Sequence, residues 1–221
     1  MKVQKRLLSM ILALLLVIGM FTGCGQSADT SQDAASVESE DSSGSEDQGE
    51  DGTREITDMA GRTMTVPTEI DSVFSTGTVA AIYLYTIVPD KLLGWNYELN
   101  DIEKSIILEK YHSLPNFGMG DSVNYEAVIA ANPTIALNVG TIDDAMISDC
   151  DELSESLGIP VVAVNGDLTA APEAYRFLGD LFGVEDQAEQ LAAYAEKTFD
   201  DIENMDIPEE EKVTIYYGNG E

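Results

Sequence analysis

Cysteine and histidine are nearly absent from this chain of 221 residues, which has only Cys24, Cys150 and His112. A metal site built from several histidines is therefore excluded, and so is a Cys-x-x-Cys motif. We interpret Cys150 as a buried small hydrophobe, because it lies in register with apolar residues of a predicted helix. A reactive thiol is the alternative. His112 follows a predicted helix in a polar loop, where we expect a surface residue.

Basic residues are also scarce: 11 Lys and Arg stand against 41 Asp and Glu, which gives a formal net charge of -30 at pH 7. The part that follows Gly52 holds 32 acidic and 8 basic side chains. Nucleic acids and anionic lipid surfaces are recognised through clustered Lys and Arg, so both are excluded as partners. The charge is compatible with a cationic or metal-loaded ligand. A solvated acidic surface without a specific role is the alternative.

Catalytic motifs are missing as well. Neither a phosphate-cradling Gly-Lys motif nor a Gly-x-Ser-x-Gly nucleophile elbow occurs in the sequence. The many carboxylates have no defined partner with which they would form an acid–base pair. We therefore predict a protein that is not an enzyme and has no catalytic residue, no cofactor and no metal ligands.

The amino-terminal segment has the pattern of an export signal. Three basic residues within Met1–Arg6 precede an apolar run from Leu7 to Phe21, which is shorter than the roughly 20 residues that span a membrane. The run leads into Phe21-Thr22-Gly23-Cys24, which resembles the lipobox of bacterial lipoproteins, although Phe stands where Leu is commoner. The resemblance implies that residues 1–23 are a signal peptide and that Cys24 is acylated. The protein would then be lipid-anchored on the extracytoplasmic face of the cell membrane; an ordinary signal peptide with an incidental cysteine is the alternative.

Residues 24–53 are almost wholly small and polar. Gln26 to Gly52 contains nine acidic residues, no basic residue and no aromatic residue. Such a segment cannot bury enough apolar surface to offset the entropy of ordering it, so the composition predicts a flexible tether. Two acyl chains on one cysteine suffice for stable anchoring. A tether behind them would let a folded domain stand off the bilayer.

The rest of the chain alternates short apolar strands with helical patterns. This order predicts βαβ units, and hence an α/β lobe with a mostly parallel sheet and flanking helices over residues 54–183. Apolar residues at three- and four-residue steps predict a long helix over residues 184–207. Residues 212–221 contain one more strand pattern. The predicted strands are 55–57 and 63–66 (a hairpin), 72–74, 91–95, 114–117, 134–138, 159–164 and 213–217; the predicted helices are 79–87, 102–110, 124–131, 143–157, 172–182 and 184–205.

Several short motifs occur in a specific order along this part of the chain. The hairpin reads EITDMAGRTMTVP (residues 55–67), and KLLGW (91–95), LPNFG (114–118), NYEAVIAANP (124–133), GIPVV (158–162) and LG (178–179) follow it. Each motif is weak by itself, but their order and spacing behind a lipobox and an acidic tether are specific. The sequence from about Arg54 to the last residue resembles the class III solute-binding proteins of ABC importers, the family that serves iron–siderophores, haem, cobalamin and some metal oxyanions.

The resemblance implies a two-lobed receptor that holds its ligand between the lobes. Residues 54–183 would be the N-terminal lobe, 184–207 the rigid interlobe helix and 212–221 the start of the second lobe. We therefore expect that the second lobe of the family's fold is missing from this chain. The implied function is delivery of a metal chelate to an ABC permease and its ATPase. The alternatives are a receptor for an oxyanion such as molybdate or tungstate, and a truncated surface interaction protein or nonfunctional remnant.

Ligands of open α/β sheets bind beyond the carboxyl ends of the strands, and four segments of this sequence would lie there. The first opens a helix and offers amides and hydroxyls to an anionic group, or its Ser and Thr only cap that helix. The second offers an aromatic pair, although Trp95 would otherwise belong to the core. The third is a glycine-rich approach to the ligand or a mere turn, and the fourth offers polar groups or a helix cap. The candidate ligand-binding residues are Ser75, Thr76, Gly77, Thr78, Trp95, Asn96, Tyr97, Gly118, Met119, Gly120, Asn138, Gly140 and Thr141.

Overall fold

A computed structural model describes residues 52–218, and all structural statements concern those residues. The predicted signal peptide, Cys24 and most of the predicted tether lie outside the described residues, as do residues 219–221. The strands are β1 (Thr53–Thr57), β2 (Thr63–Pro67), β3 (Val73–Ser75), β4 (Ile135–Gly140) and β5 (Val161–Asn165). The helices are α1 (Thr78–Ile87), α2 (Asp101–Ile106), α3 (Tyr125–Ala131), α4 (Asp144–Leu157), α5 (Ala171–Phe182) and α6 (Glu185–Glu203).

The centre of the lobe is a parallel sheet in the order β3-β4-β5. Both of its faces are buried, which is typical of parallel sheets that helices cover on two sides. Ile135 and Leu137 of β4 belong to the cluster that includes residues of α1 and α5. Ala136, between them, belongs to the opposite cluster with residues of α3 and α4. The predicted α/β class with a parallel sheet and flanking helices is confirmed.

The β1–β2 hairpin covers the outer edge of β5 with its turn. Met59 N donates to Ala163 O at 3.2 Å, and Ala163 N donates to Asp58 Oδ2 at 3.1 Å. The guanidinium of Arg62 binds the same carboxylate and the carbonyl oxygen of Val161. An open sheet edge invites pairing with other chains, and the turn removes that possibility at the centre of β5.

The long helix α6 packs on α5 through a small-residue contact. A Cβ atom added to Gly179 would lie 2.4 Å from Cβ of Ala188, so the two helices approach more closely than a larger residue would allow. Ala188 and Ala192 are the buried residues of α6. The helix ends at Glu203, earlier than the predicted 205 or 207, since beyond that residue the side chains up to Gly218 are exposed and no packing supports another turn.

Four predicted elements have a different form in the structure. Residues 91–95 and 114–117 are not strands but form single parallel bridges, Val73 with Leu92 and Trp95 with Asn116. The predicted helix 102–110 ends at Ile106, because Ile107 and Leu108 are extended, and a short 3-10 turn follows. Residues 213–217 form no strand, since none of the described residues pairs with them. In each of the three strand patterns, the sequence lacks the neighbouring backbone that would complete its hydrogen bonds.

Candidate ligand-binding site

Five segments meet at the carboxyl edge of the sheet. Strands β3, β4 and β5 run parallel, and the bridges place residues 92–95 and 116 alongside them in the same direction. The segments that follow therefore emerge at one edge, where open α/β sheets bind ligands. We call this edge the rim and define it as residues 75–78, 95–99, 117–121, 138–144 and 165–168. All thirteen predicted ligand-binding residues lie on it.

The first rim segment leaves β3 and enters α1. Ser75 is the last residue of the strand and is buried, so it is not in the loop where the sequence places it. Thr76 donates from its backbone to Leu137 O at 3.1 Å and from its hydroxyl to Asn138 Oδ1 at 2.9 Å. Gly77 is the N-cap residue of α1, and no side chain caps this helix. The alternative that Ser or Thr side chains cap the helix is therefore wrong. Among the described residues, no side chain accepts a capping hydrogen bond from the first turn of α1.

Of the predicted aromatic pair, only Tyr97 reaches the surface. Trp95 is buried, its indole nitrogen donates to Tyr111 O at 2.9 Å, and its ring lies 5.8 Å from that of Tyr85. Its role is the core packing that the sequence leaves as the alternative. Tyr97 is 36% exposed, and its hydroxyl donates to Glu103 at 2.9 Å. Burial and this hydrogen bond raise the pKa of the Tyr97 phenol, and the hydrogen bond also orients the ring towards Glu103.

The glycine-rich segment, residues 118–120, forms a tight turn and exposes one side chain to solvent. Gly118 has φ of 80°, a left-handed conformation that favours glycine. A Cβ atom there would lie 2.4 Å from Ser122 O, so no other residue fits without a shift of the backbone. Met119, between two glycines, is half exposed. The tight turn therefore presents one apolar side chain at the rim.

The fourth rim segment, residues 138–144, is held by hydrogen bonds to neighbouring residues, and residues 138–141 do not cap a helix. Asp143 caps α4 by accepting from Met146 N at 2.8 Å, so the alternative role of residues 138–141 as a cap is wrong. Asn138 donates to Cys150 Sγ at 3.4 Å. Burial raises the pKa of the Cys150 thiol, in agreement with its interpretation as a buried hydrophobe. Gly140 lies at the end of β4, and Thr141 donates to Asp167 at 3.3 Å.

The sequence analysis missed the fifth rim segment, residues 165–168. Gly166 N donates to Gly140 O at 2.8 Å, and a Cβ atom at Gly166 would lie 2.9 Å from Gly140 Cα. Leu168 is exposed beside it. The sequence contains the signal for this segment, because residues that follow any strand of a parallel sheet lie at the same edge as those that follow the other strands.

Solved structures that match this fold include solute-binding proteins. An ABC transporter solute binding protein from Sulfurospirillum deleyianum DSM 6946 matches with a TM-score of 0.59 and 23% identity, over 71% of this chain and 51% of its own. The siderophore binding protein BauB, bound to ferric iron and two molecules of acinetobactin, matches at 0.51 and 15%, over 68% and 53%. The molybdate periplasmic binding protein MolA of a Haemophilus influenzae ABC transporter, bound to molybdate, matches at 0.50 and 18%, over 72% and 56%.

The described residues have the fold of one lobe of a solute-binding protein. The chain spans about half the length of these solved proteins. No family model matches the chain, and no curated protein does. The lobe carries the carboxyl edge of a parallel sheet, which in this class of fold is where a ligand is received.

The rim of this lobe is negatively charged. None of its five segments contains Lys, Arg or His. The basic residues nearest in sequence are Lys91, which donates to Ile70 O at 2.6 Å, and Lys104, in the last turn of α2. The exposed acidic residues on the rim are Glu98, Asp121, Asp143, Asp144 and Asp167.

The rim also carries exposed apolar side chains. Tyr97, Met119 and Leu168 are each at least one third exposed and belong to three different segments. Among residues 52–218, no three His, Cys, Asp or Glu side chains come together in a way that could hold a metal ion. The rim can therefore offer apolar contact, backbone amides and negative charge to a ligand.

Within the same part of the chain, no helix combines the length and the apolar character needed to cross a membrane.

Proposed function

We propose that this chain belongs to the solute-binding component of an ABC importer, which receives a metal chelate outside the cell and passes it to a permease that an ATPase drives. The observation that carries the proposal is the convergence of five rim segments at the carboxyl edge of a parallel sheet. The fold of the lobe, shared with solved solute-binding proteins, supports this use of the edge. Cys24 would carry the lipid anchor, and residues 24–53 would be the tether.

The charge of the rim favours a chelate over a free oxyanion. Five exposed carboxylates without one basic residue repel an anion that lies within about 10 Å at 0.1 M salt. Molybdate and tungstate carry two negative charges and no apolar surface, so only the backbone amides of the first rim segment would attract them. A neutral or cationic chelate meets complementary charge and finds apolar contact at Tyr97, Met119 and Leu168. We therefore propose a ligand class of neutral or cationic, partly apolar chelates.

One lobe covers only part of such a ligand. Well-formed small-molecule sites bury about 70–90% of the ligand surface, and one rim offers a single wall. Half of the contacts of a micromolar site, whose binding free energy is roughly −8 kcal/mol, would leave a dissociation constant near 1 mM. The chain of 221 residues should therefore bind weakly, in a range that NMR titration measures and calorimetry at low concentration does not.

The test is an NMR titration of the chain with four probes at millimolar concentration. They are a ferric trihydroxamate with a pendant ammonium group, a ferric tris-catecholate with three negative charges, cobalamin and molybdate. We expect backbone amide shifts confined to the rim with the cationic chelate or with cobalamin, and weaker effects with the two anions. If no probe moves the rim amides, the proposed function is wrong. If molybdate alone moves them, the oxyanion alternative replaces it.

A pair of tyrosine variants locates the contact. Tyr97→Ala removes an exposed ring from the rim, and Tyr194→Ala removes an exposed ring from α6, away from the rim. We expect the first variant to weaken binding of the responding chelate about threefold to tenfold, since an aromatic contact is worth on the order of 1 kcal/mol. The second should leave it unchanged. Equal effects of both variants would place the binding elsewhere than on the rim.

A further inference from the structure

One buried carboxamide joins three of the five rim segments. Asn96 is 2% exposed. Its Nδ2 donates to Ser75 O at 2.9 Å and to Gly118 O at 3.2 Å. Its Oδ1 accepts from the Ser75 hydroxyl at 3.2 Å. The first rim segment, the second and the third are therefore tied together through a single side chain.

The hydrogen bonds of Asn96 connect segments that regular strand pairing does not connect. Residues 92–95 and 116 join the sheet only through two isolated bridges, so regular strand pairing does not fix the second and third segments at the rim. The backbone contacts at this point are Trp95 N to Pro115 O and Phe117 N to Trp95 O, each 2.8 Å. Neither reaches β3. Asn96 links the end of β3 to the second and third rim segments. It directly precedes Tyr97, and its partner Gly118 directly precedes Met119.

We propose that Asn96 is a positioning residue of the rim, whose carboxamide sets where Tyr97 and Met119 stand relative to the first turn of α1. This inference rests on the proposed function only for its ligand-binding consequence. The side chain does not face a ligand itself, because it is buried beneath the segments that it joins. Its loss should disturb the rim first and the rest of the sheet second, since the core clusters are apolar and do not depend on it.

Asn96→Asp is the sharpest substitution, because it keeps the shape of the side chain and replaces the amide donor with a carboxylate. A carboxylate loses both donated bonds and places negative charge beside the carbonyl oxygens of Ser75 and Gly118. Asn96→Ala repeats the test without added charge if the first variant does not fold. Ser154→Ala is the control outside the rim, since it removes a partly buried bond from a side chain to a backbone carbonyl, Ser154 Oγ to Ile159 O at 2.8 Å.

The first readout is hydrogen exchange of the full chain, resolved by residue. In Asn96→Asp we expect the amides of Phe117 and Asn124 to exchange about a hundredfold faster, because both buried bonds that Asn96 donates are lost. A core variant, Leu178→Ala, provides the reference for a general loss of stability. Its effect should be uniform over β4 and β5 and the rim. If Asn96→Asp and Leu178→Ala give the same residue profile, Asn96 is only a core residue and the proposal fails.

The second readout is binding of the ferric trihydroxamate with the ammonium group. We expect Asn96→Asp to weaken it at least about tenfold, corresponding to about 1.4 kcal/mol, and Ser154→Ala to change it less than threefold. Unchanged binding in a folded Asn96→Asp variant would overturn the positioning role. If the unmodified chain binds no probe, the proposed function is wrong, whereas the exchange profiles still decide whether Asn96 holds the rim.

Discussion

At the scale of single residues, the most heavily bonded side chain lies outside the rim. The carboxylate of Asp58 accepts from the backbone amides of Ala60, Arg62 and Ala163, and also pairs with the Arg62 guanidinium. Its side chain has no exposed surface. Arg62 extends the network to Asp151, which is mostly exposed. The two carboxylates around one guanidinium therefore differ in burial and should differ in their contribution to stability.

Asp58→Ala should lower the free energy of unfolding by about 3 kcal/mol or more, because it removes the buried partner of Arg62 and leaves the backbone amide of Ala163 without its acceptor. Asp151→Ala should cost at most about 1 kcal/mol, as exposed pairs do. Urea denaturation of both variants measures the difference. Equal losses would show that the turn is held by its backbone bonds and not by the buried carboxylate.

At the scale of elements, the pair α5–α6 depends on close approach. Arg176 on α5 also binds Glu189 and Glu196 on α6, at 2.8 and 2.7 Å. These groups are exposed, and such pairs are screened by salt. The contact between Gly179 and Ala188 is not screened, because it consists of packing alone. The position of α6 on the lobe should therefore be set by the small residues.

Gly179→Ala tests this packing with a change that helix propensity alone would favour by about 1 kcal/mol. Because the new methyl group would meet Ala188 at 2.4 Å, we expect a net loss of about 1–3 kcal/mol instead, the usual cost of overpacking. Ser148→Ala, at an exposed position of α4, is the control and should be neutral or slightly stabilising. Thermal unfolding compares them, and stabilisation by Gly179→Ala would mean that the helices can separate without cost.

At the scale of the whole molecule, the described residues divide into a packed lobe and an exposed carboxyl-terminal run. Val162 and Val164 of β5 are fully buried, whereas Ile215 and Tyr216 are 78% and 97% exposed. Residues 213–217 make no backbone hydrogen bond with any described residue. The same kind of β-forming sequence is thus in a sheet at one place and without partners at the other.

Hydrogen exchange of the 221-residue chain should reflect this division. We expect residues 213–217 to exchange near the rate of an unstructured peptide, and Val162 and Val164 to exchange only through global opening. Mass spectrometry with peptide resolution suffices, and β4 serves as a second protected reference. Strong protection of Tyr216 would show that these residues find a partner that the described contacts do not include.

The proposed anchor is also a property of the whole molecule. Expressed in a bacterium with lipoprotein processing, the chain should incorporate labelled fatty acid and partition to membranes. Cys24→Ala should abolish the label, and Cys150→Ala, which removes the buried thiol, should retain it. Equal labelling of Cys24→Ala and the unchanged chain would exclude acylation at Cys24 and leave an ordinary signal peptide.

The sequence by itself determined the α/β class, the six helices and the strands of the central sheet and of the hairpin, because alternation, caps and turn residues are local signals. Gly158 ends α4 and the Asp58-to-Gly61 turn closes the hairpin, as their residue types require. The sequence also predicted that all the candidate ligand-binding residues lie at one edge of the sheet, because the carboxyl ends of parallel strands meet at the same edge. Only the tertiary structure decided which of them face solvent. Trp95 and Asn96 are buried whereas Tyr97 is exposed, because side-chain burial depends on Tyr85, Tyr111 and Gly118, which are distant in sequence. For the same reason residues 91–95 and 213–217 have strand-forming sequences without being strands: a strand exists only where another backbone completes its hydrogen bonds.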